Sequence, residues 1–106
     1  MASEAELQAR FIADKAFRGW LILKMDPGTG TIPKGWPDLI MFGPGGQVQL
    51  VEYKAAGGTV TPTQRQTMRY LAASGHNVSF VDSRWDHCVP VPMTPEEIDA
   101  YEPPLR

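Results

Sequence analysis

Residues 35–54 read GWPDLIMFGPGGQVQLVEYK, and this stretch decides the fold of the chain. Two runs within it, Asp38 to Phe42 and Gln47 to Ala55, have the apolar composition of β-strands. Between them, residues 43–46 (Gly-Pro-Gly-Gly) form a turn signal too strong to lie inside a strand. The stretch therefore predicts an antiparallel hairpin, with Pro37 at the start of its first strand.

The register of this hairpin determines which side chains can meet. The strand period of two places Glu52 and Lys54 on one face of the second strand. A loop of five residues would set Asp38 opposite Glu52, Ile40 opposite Leu50 and Phe42 opposite Val48. A loop of four residues would turn Asp38 to the other face. A shared site for the three charged residues therefore requires the five-residue loop, or a bulge with the same effect.

The elements outside the hairpin are predicted from periodicity and capping signals. Their expected bounds are Ser3 to Trp20 (helix), Leu21 to Met25 (strand), Thr61 to Ser74 (helix), Asn77 to Asp82 (strand) and a short last helix from Thr94. Residues 26–35 are predicted to be a loop, and Gly28-Thr29-Gly30 is expected to be mobile near the active site. The order helix, three strands, helix, strand predicts an α/β fold with a central mixed β-sheet flanked by helices.

Length and composition describe one ordinary domain. A chain of 106 residues, 42% of them hydrophobic, fits a single domain, with a core over residues 3–82 and a C-terminal extension over 83–106. No apolar run approaches the roughly 20 residues of a membrane span, so we expect no membrane partner. The single cysteine, Cys88, cannot form an internal disulfide, which fits a reducing cytoplasm.

The charge distribution permits nucleic-acid binding without predicting it. The net charge is −2, but the last 13 residues hold four acids and one base. The rest of the chain has eight acids and nine bases. A cation bound to some of those acids would leave the remaining surface mildly basic.

Asp38, Glu52 and Lys54 suggest a metal site with a lysine beside it. Two carboxylates that meet at one point repel each other unless a cation lies between them. Mg²⁺ prefers oxygen ligands and can also coordinate a phosphate. Asp38, Glu52 and the backbone carbonyl of Tyr53 could hold such an ion, with Lys54 beside the attacking water or the scissile phosphate.

Pro-Asp followed after a gap by Glu-x-Lys resembles the signature of the PD-(D/E)XK nuclease superfamily, and the details are similar to its virus-type replication-repair nuclease (VRR-NUC) branch. The resemblance covers about Ser3 to Asp82. It includes Glu4 with Leu7 and Gln8 in the first helix, the string from Gly35 to Leu39, and Gly58, Thr61 and Gln64 after the second strand of the hairpin. The phage-type members of this branch are short stand-alone proteins, and the branch is also similar to Holliday-junction resolvases.

The resemblance implies a restriction-endonuclease-like core and a Mg²⁺- or Mn²⁺-dependent DNA endonuclease that acts as a homodimer on branched or junction DNA. It implies catalytic roles for Asp38, Glu52, Lys54 and Gln64, with Glu4 as a further metal ligand. Two alternatives stay open: a nicking or flap nuclease in phage DNA processing, and a non-catalytic DNA-binding module. Glu6 is an alternative to Glu4 as the metal-facing acid.

Several side chains have competing interpretations. Gln64 either completes the cap of Thr61 or reaches a phosphate, since one side chain does not easily do both. Arg65 and Arg69, four residues apart, form either a phosphate-binding stripe or a solvated face. The loop before Gly35 lacks the asparagine, serine and arginine often found in the family, which leaves Lys24, Lys34 and Thr31 as possible substitutes, with the two lysines as candidate DNA-binding residues. Trp36 either packs or stacks on a base.

Overall fold

The computed structural model describes residues 2–25 and 30–106, so Gly28 and Thr29 of the predicted mobile loop lie outside the described residues. The helices are α1 (Glu4–Phe17), α2 (Pro62–Ala73) and α3 (Pro95–Ala100), and the strands are β1 (Leu21–Lys24), β2 (Leu39–Phe42), β3 (Val48–Tyr53) and β4 (Val78–Val81). The four strands form one sheet in the order β1-β2-β3-β4. The first two pairings are antiparallel, and β3 pairs with β4 in parallel. This mixed sheet with flanking helices confirms the predicted fold class.

The hairpin has the register that the chemistry requires. Ile40 lies opposite Leu50 and Phe42 opposite Val48, and the N–H of Gly43 donates to the carbonyl of Gln47 at 2.8 Å. The loop therefore spans the five residues 43–47. The strand β2 begins one residue later than predicted, because Asp38 lies at its entrance and uses its backbone N–H to bond a side chain of β3.

The helix starts follow the capping signals. Thr61 accepts a hydrogen bond from the N–H of Gln64, and the Gln64 side chain accepts one from the N–H of Thr61, so the predicted capping box is confirmed. Ser3 caps α1 by accepting from the N–H of Glu6. This helix ends at Phe17 and not near Trp20, because Gly19 adopts a positive φ of 93° that interrupts the helical path.

Apolar clusters cover both faces of the sheet. One cluster lies between α1 and the sheet and contains Phe11, Trp20, Leu39, Met41, Val51, Tyr53 and Val81. The other lies under α2 and α3 and contains Met68, Leu71, Val78, Phe80, Ile98 and Tyr101. The alternation of side chains along β3 and β4 contributes to both clusters, and β2 contributes Leu39 and Met41 to the first. Apolar side chains therefore pack on both faces of β3, the strand that leads into the Glu-x-Lys motif.

The C-terminal segment is packed against the core. The ring of Tyr101 stacks on Phe80 with 4.7 Å between centroids, and its hydroxyl donates to the buried carboxylate of Asp82 at 2.7 Å. Arg84 donates to both oxygens of the same carboxylate. Hydrogen bonds and the ion pair with Arg84 hold the pKa of Asp82 below its usual range despite burial.

One part of the sheet surface remains uncovered. Leu21, Leu23, Phe42 and Val48 are 72%, 52%, 40% and 43% exposed. The register pairs Leu21 with Phe42 and Phe42 with Val48, so these side chains share one face of β1, β2 and β3. We call these four residues the open sheet face. Within residues 2–25 and 30–106, no helix has the length and apolar character needed to cross a membrane.

Candidate active site

Asp38 and Glu52 meet at the point where β2 begins and β3 ends. The backbone N–H of Asp38 donates to Oε1 of Glu52 at 3.1 Å, and the N–H of Tyr53 donates to Oδ1 of Asp38 at 3.2 Å. Each acidic residue is therefore bonded to the backbone of the other strand. Hydrogen bonds to the protein backbone therefore position both side chains.

Gln8, a helix residue for which the sequence predicted no role, also reaches this point. Gln8 of α1 is 6% exposed, and its Nε2 donates to Oδ2 of Asp38 at 2.7 Å. The signal in the sequence was an amide at a position where helical spacing from Phe11 indicates the buried face. A buried amide requires a hydrogen-bond partner, and Asp38 is that partner.

Lys54 and Gln64 complete the cluster from the other side. Nζ of Lys54 donates to Oε1 of Gln64 at 2.8 Å and to the carbonyl of Thr59 at 2.9 Å, and it lies 3.7 Å from Oε2 of Glu52. Nε2 of Gln64 donates to the same Glu52 oxygen at 3.3 Å. The strand period explains why both charged residues face α2, whose first turn supplies Gln64.

The Gln64 side chain completes the cap of Thr61 and also reaches Glu52 and Lys54, while its contact with a phosphate stays a prediction. Its Oε1 accepts from the N–H of Thr61 at 3.1 Å and from Lys54, while its Nε2 reaches Glu52. A carbonyl oxygen has two lone pairs and an amide nitrogen two protons, so one side chain serves all three bonds. The start of α2 is thereby fixed to the candidate catalytic residues.

A cavity of about 280 Å³ opens onto the two carboxylates. Its other lining residues are Met25, Ile32, Pro33, Lys34, Gly35, Trp36, Pro37 and Gln64. Gly35 has a φ of 79°, and a Cβ there would lie 2.6 Å from the carbonyl oxygen of Thr63. Only glycine allows this close approach to α2. Trp36 packs partly against the cluster under α2 and also lines the cavity.

The electrostatics of the carboxylate pair favour a bound cation. Burial and the nearby charge of Glu4 raise the pKa of Asp38 to about 6. Burial and the Asp38 carboxylate raise the pKa of Glu52 to about 8, against the opposing effect of Lys54. The pair therefore binds protons more tightly than ordinary carboxyl groups do. A cation placed against both would replace those protons and relieve the repulsion.

The donor set fits a hard divalent ion. Each of the four carboxylate oxygens accepts a hydrogen bond from the protein, and a carboxylate has about four acceptor positions, so capacity remains on both groups. Mg²⁺ is commonly bound by one or two carboxylates together with a substrate phosphate. Across residues 2–25 and 30–106, no group of three or more His, Cys, Asp or Glu side chains could hold a metal ion. Among the described residues, the acidic metal ligands that lie together are therefore the two carboxylates of Asp38 and Glu52.

Glu4 lies near this pair and Glu6 does not face it. Glu4 precedes Gln8 by one helical turn, so the two share the side of α1 that faces Asp38. Its charge raises the pKa of both Asp38 and Glu52. Glu6 lies about 200° from Gln8 around the helix and bonds the hydroxyl of Ser3.

The basic residues predicted to bind DNA are divided between two places. Lys34 lines the cavity and Lys24 is exposed at the end of β1. Arg65 instead donates to the carbonyls of Ile98, Asp99 and Tyr101. Arg69 forms an ion pair with Asp99 and bonds the carbonyl of Pro95. The structure does not bring these two arginines to the carboxylates, and their contact with DNA stays a prediction.

A mixed sheet that presents Asp38, Glu52 and Lys54 from neighbouring strands defines a restriction-endonuclease-like α/β domain. The family model described as the VRR-NUC domain matches residues 8–85, and the chain belongs to this family. A solved structure described as a VRR_NUC domain has the same fold, with a TM-score of 0.64 and 22% identity over 93% of this chain and 94% of that chain. No curated protein matches the chain in sequence.

Membership in the family defines the class of activity. VRR-NUC domains are nuclease domains, so the chain is a nuclease with DNA as its substrate class. The family generally depends on divalent metal ions. The matched residues 8–85 contain Gln8, Asp38, Glu52, Lys54 and Gln64, the five side chains of the cluster described above.

Proposed function

We propose that this protein is a Mg²⁺- or Mn²⁺-dependent endonuclease that hydrolyses phosphodiester bonds in branched DNA. The observation that carries the proposal is the convergence of the half-buried carboxylate of Asp38 with the buried carboxylate of Glu52 and the buried ammonium of Lys54, beside an open cavity. Buried charges are costly unless they are paired or bind a ligand. A site that draws two acids and a lysine out of water is better suited to catalysis than to stability.

Asp38, Glu52 and the backbone carbonyl of Tyr53 would hold the metal ion, with Glu4 as a further ligand when substrate is present. When bound, the ion would supply positive charge against the scissile phosphate and favour deprotonation of the attacking water. Gln8 fixes the Asp38 carboxylate, and Gln64 fixes both Glu52 and Lys54. Lys54 stabilises negative charge that develops on the phosphate in the transition state.

The DNA strand would reach the carboxylates through the cavity lined by Lys34, with Lys24 contacting phosphate further along. Both lysines are exposed, and exposed lysines supply the salt-dependent part of DNA affinity. We include the C-terminal segment in a single nuclease domain over residues 1–106, because Ile98 and Tyr101 are buried in the shared core. A cytoplasmic location fits Cys88, which is free and exposed.

We further propose that two copies associate through the open sheet face. An edge strand with exposed apolar side chains is prone to pair with another chain, and β1 is such a strand. Stable interfaces bury roughly 800 Å² on each partner around an apolar centre, and the open sheet face would supply that centre. A two-fold dimer presents two active sites, which suits a symmetric four-way junction.

The test is a cleavage assay on four DNA substrates of matched sequence: four-way junction, flap, linear duplex and single strand. We expect cleavage only with Mg²⁺ or Mn²⁺, and fastest on the junction. Lys54→Met, which keeps the length of the side chain without its charge, should lower the rate by roughly 10²- to 10³-fold. Arg10→Ala, an exposed change on α1, serves as the control variant.

Each outcome bears on a different part of the proposal. Activity in Lys54→Met equal to that of wild type would refute the role of this residue. Metal-independent cleavage would refute the metal site. Equal rates on all four substrates would leave a nuclease without selectivity for branched DNA.

A further inference from the structure

A second cavity, of about 530 Å³, is lined in part by the segment that follows Lys54. It is lined by Ala2, Ser3, Glu4, Leu7, residues 55–58 and Arg106. None of the catalytic roles proposed above uses it apart from that of Glu4. Its size falls within the roughly 300–1,000 Å³ typical of small-ligand sites.

This cavity is lined by the start of α1 and by the segment after β3, and α1 and β3 both position the carboxylate pair. Glu4 lines it, and one helical turn further along α1 Gln8 donates to Oδ2 of Asp38 at 2.7 Å. The segment 55–58 that forms its wall begins directly after Lys54, whose Nζ bonds the carbonyl of Thr59. A strand of DNA with one phosphate at the carboxylates would therefore have a neighbouring nucleotide within reach of the cavity.

The C-terminal segment places the guanidinium group of Arg106 at this cavity. The N–H of Gly57 donates to the carbonyl of Pro104 at 2.8 Å, which fixes the segment to the wall. The Arg106 side chain then lies across Gly57, since a Cβ on that glycine would be 3.2 Å from Cβ and 3.6 Å from Nε of Arg106. Arg106 is exposed, and no protein partner for its guanidinium is present in the described part of the chain.

The lining chemistry matches a nucleotide of a DNA strand. Leu7, Ala55 and Ala56 form an apolar surface of the kind that packs against a deoxyribose or a base. Arg106 is the cationic lining residue, and guanidinium groups bind phosphate oxygens through two parallel hydrogen bonds.

We propose that this cavity binds the nucleotide next to the scissile phosphate, with Arg106 bonded to that nucleotide's phosphate. The inference rests on the proposed nuclease function. It assigns the C-terminal segment a role in substrate binding, because Pro104 and Gly57 hold Arg106 at the cavity. The lining segment 55–58 also depends on glycine at position 58, since a Cβ there would lie 2.9 Å from the carbonyl oxygen of Ala55.

The experiment measures binding of four-way-junction DNA to the full chain by fluorescence anisotropy, with Ca²⁺ in place of Mg²⁺ and at several salt concentrations. Arg106→Ala should weaken binding roughly tenfold, as expected for loss of a hydrogen bond to a charged group. It should also lower the slope of log affinity against log salt by about 1 per bound chain. Arg10→Ala, the matched control on the solvent-facing side of α1, should leave the slope unchanged.

A second measurement locates the contact. Neutral methylphosphonates are placed one at a time at the phosphates flanking the cut, and the affinity of wild type and Arg106→Ala is compared at each. We expect one adjacent phosphate whose neutralisation weakens wild type but not Arg106→Ala. Gly57→Ala, which forces a side chain against Arg106, should mimic Arg106→Ala in part.

The possible failures are distinct. An unchanged salt slope in Arg106→Ala, or the absence of any coupled phosphate beside the cut, would overturn the assignment of this cavity while leaving the nuclease intact. A wild-type protein that neither binds nor cuts any of the four DNA substrates would overturn the proposed function itself. Thermal unfolding of each variant confirms that the fold is retained.

Discussion

The backbone N–H of Asp38 bonds Oε1 of Glu52 at 3.1 Å, so the first acid of the motif holds the second through its main chain. The Asp38 side chain is in turn held by Gln8 and by the N–H of Tyr53. Residues of α1, of β3 and of the entrance to β2 thus position one carboxylate pair. Such preorganisation is what metal sites obtain from residues that hydrogen-bond to their ligands.

Gln8 is expected to act as a positioning residue for Asp38. Gln8→Leu should lower the cleavage rate by roughly 10- to 100-fold, the usual effect of losing a hydrogen-bond partner of a metal ligand. The concentration of Mg²⁺ that gives half-maximal rate should rise in parallel. The matched control is Gln66→Leu on the exposed side of α2. A rate loss without any change in metal dependence would assign Gln8 to stability alone.

The raised pKa values of the carboxylate pair predict the pH dependence of stability without metal. Folding raises the pKa of Asp38 to about 6 and of Glu52 to about 8, above the ordinary values of 3.8 and 4.5. The folded state therefore holds protons more tightly than the unfolded state. The contribution of these groups to stability is fully present below about pH 4 and is lost as pH rises through about 6 and then 8.

Unfolding in urea, with EDTA present, measures this effect. Between pH 5 and pH 8.5 we expect wild type to lose several kcal/mol of unfolding free energy, since each pKa unit corresponds to about 1.4 kcal/mol. Glu52→Gln should show a flatter profile, because its amide does not ionise. Mg²⁺ should restore stability at pH 8.5 in wild type and much less in Glu52→Gln. Identical pH profiles for the two proteins would contradict the raised pKa of Glu52.

Arg65 is expected to stabilise the fold through α3. Arg65→Ala removes a guanidinium that bonds the carbonyls of Ile98, Asp99 and Tyr101, and should lower the free energy of unfolding by about 2 kcal/mol. Arg69→Ala, which breaks a half-exposed ion pair, should cost under about 1 kcal/mol. Both are checked by urea unfolding. If either variant lowers the slope of log affinity for DNA against log salt by about 1, the result would support the phosphate contact that the sequence predicted for that arginine.

The open sheet face is expected to hold the dimer together. Leu21→Glu with Leu23→Glu should convert a dimer to a monomer in light scattering, because both side chains are more than half exposed within one chain. Val91→Glu is the matched control, at a position that is 61% exposed and lies away from this face in sequence. A wild type that is monomeric at working concentration, or a double variant that stays dimeric, would exclude this interface.

Local rules accounted for most of the fold. The glycine-rich turn and the alternation of apolar residues predicted the hairpin, and capping signals at Thr61 and Thr94 predicted two helix starts that the structure confirms. These signals succeed because the atoms that decide them lie within a few residues of each other. The end of α1 was placed three residues too late because Gly19 interrupts a pattern that is otherwise helical.

The candidate site was predicted only in part. The pairing of Asp38 with Glu52 depended on hairpin register, and periodicity limited that register to two choices. Gln8 received no role because its partner lies 30 residues away, on a different element. The three simultaneous bonds of Gln64 depend on how α2 packs against β3, which local sequence does not encode.

By itself, the sequence determined which residues can carry the chemistry: an acid at the entrance of one strand and Glu-x-Lys on the next, on faces set by the strand period. Only the tertiary structure decided what holds and surrounds them. It placed Gln8 on Asp38, turned Arg65 towards α3, and carried Arg106 to a cavity beside the site. The reason is that strand and cap geometry follow from neighbours along the chain, whereas these contacts form only when distant elements pack together.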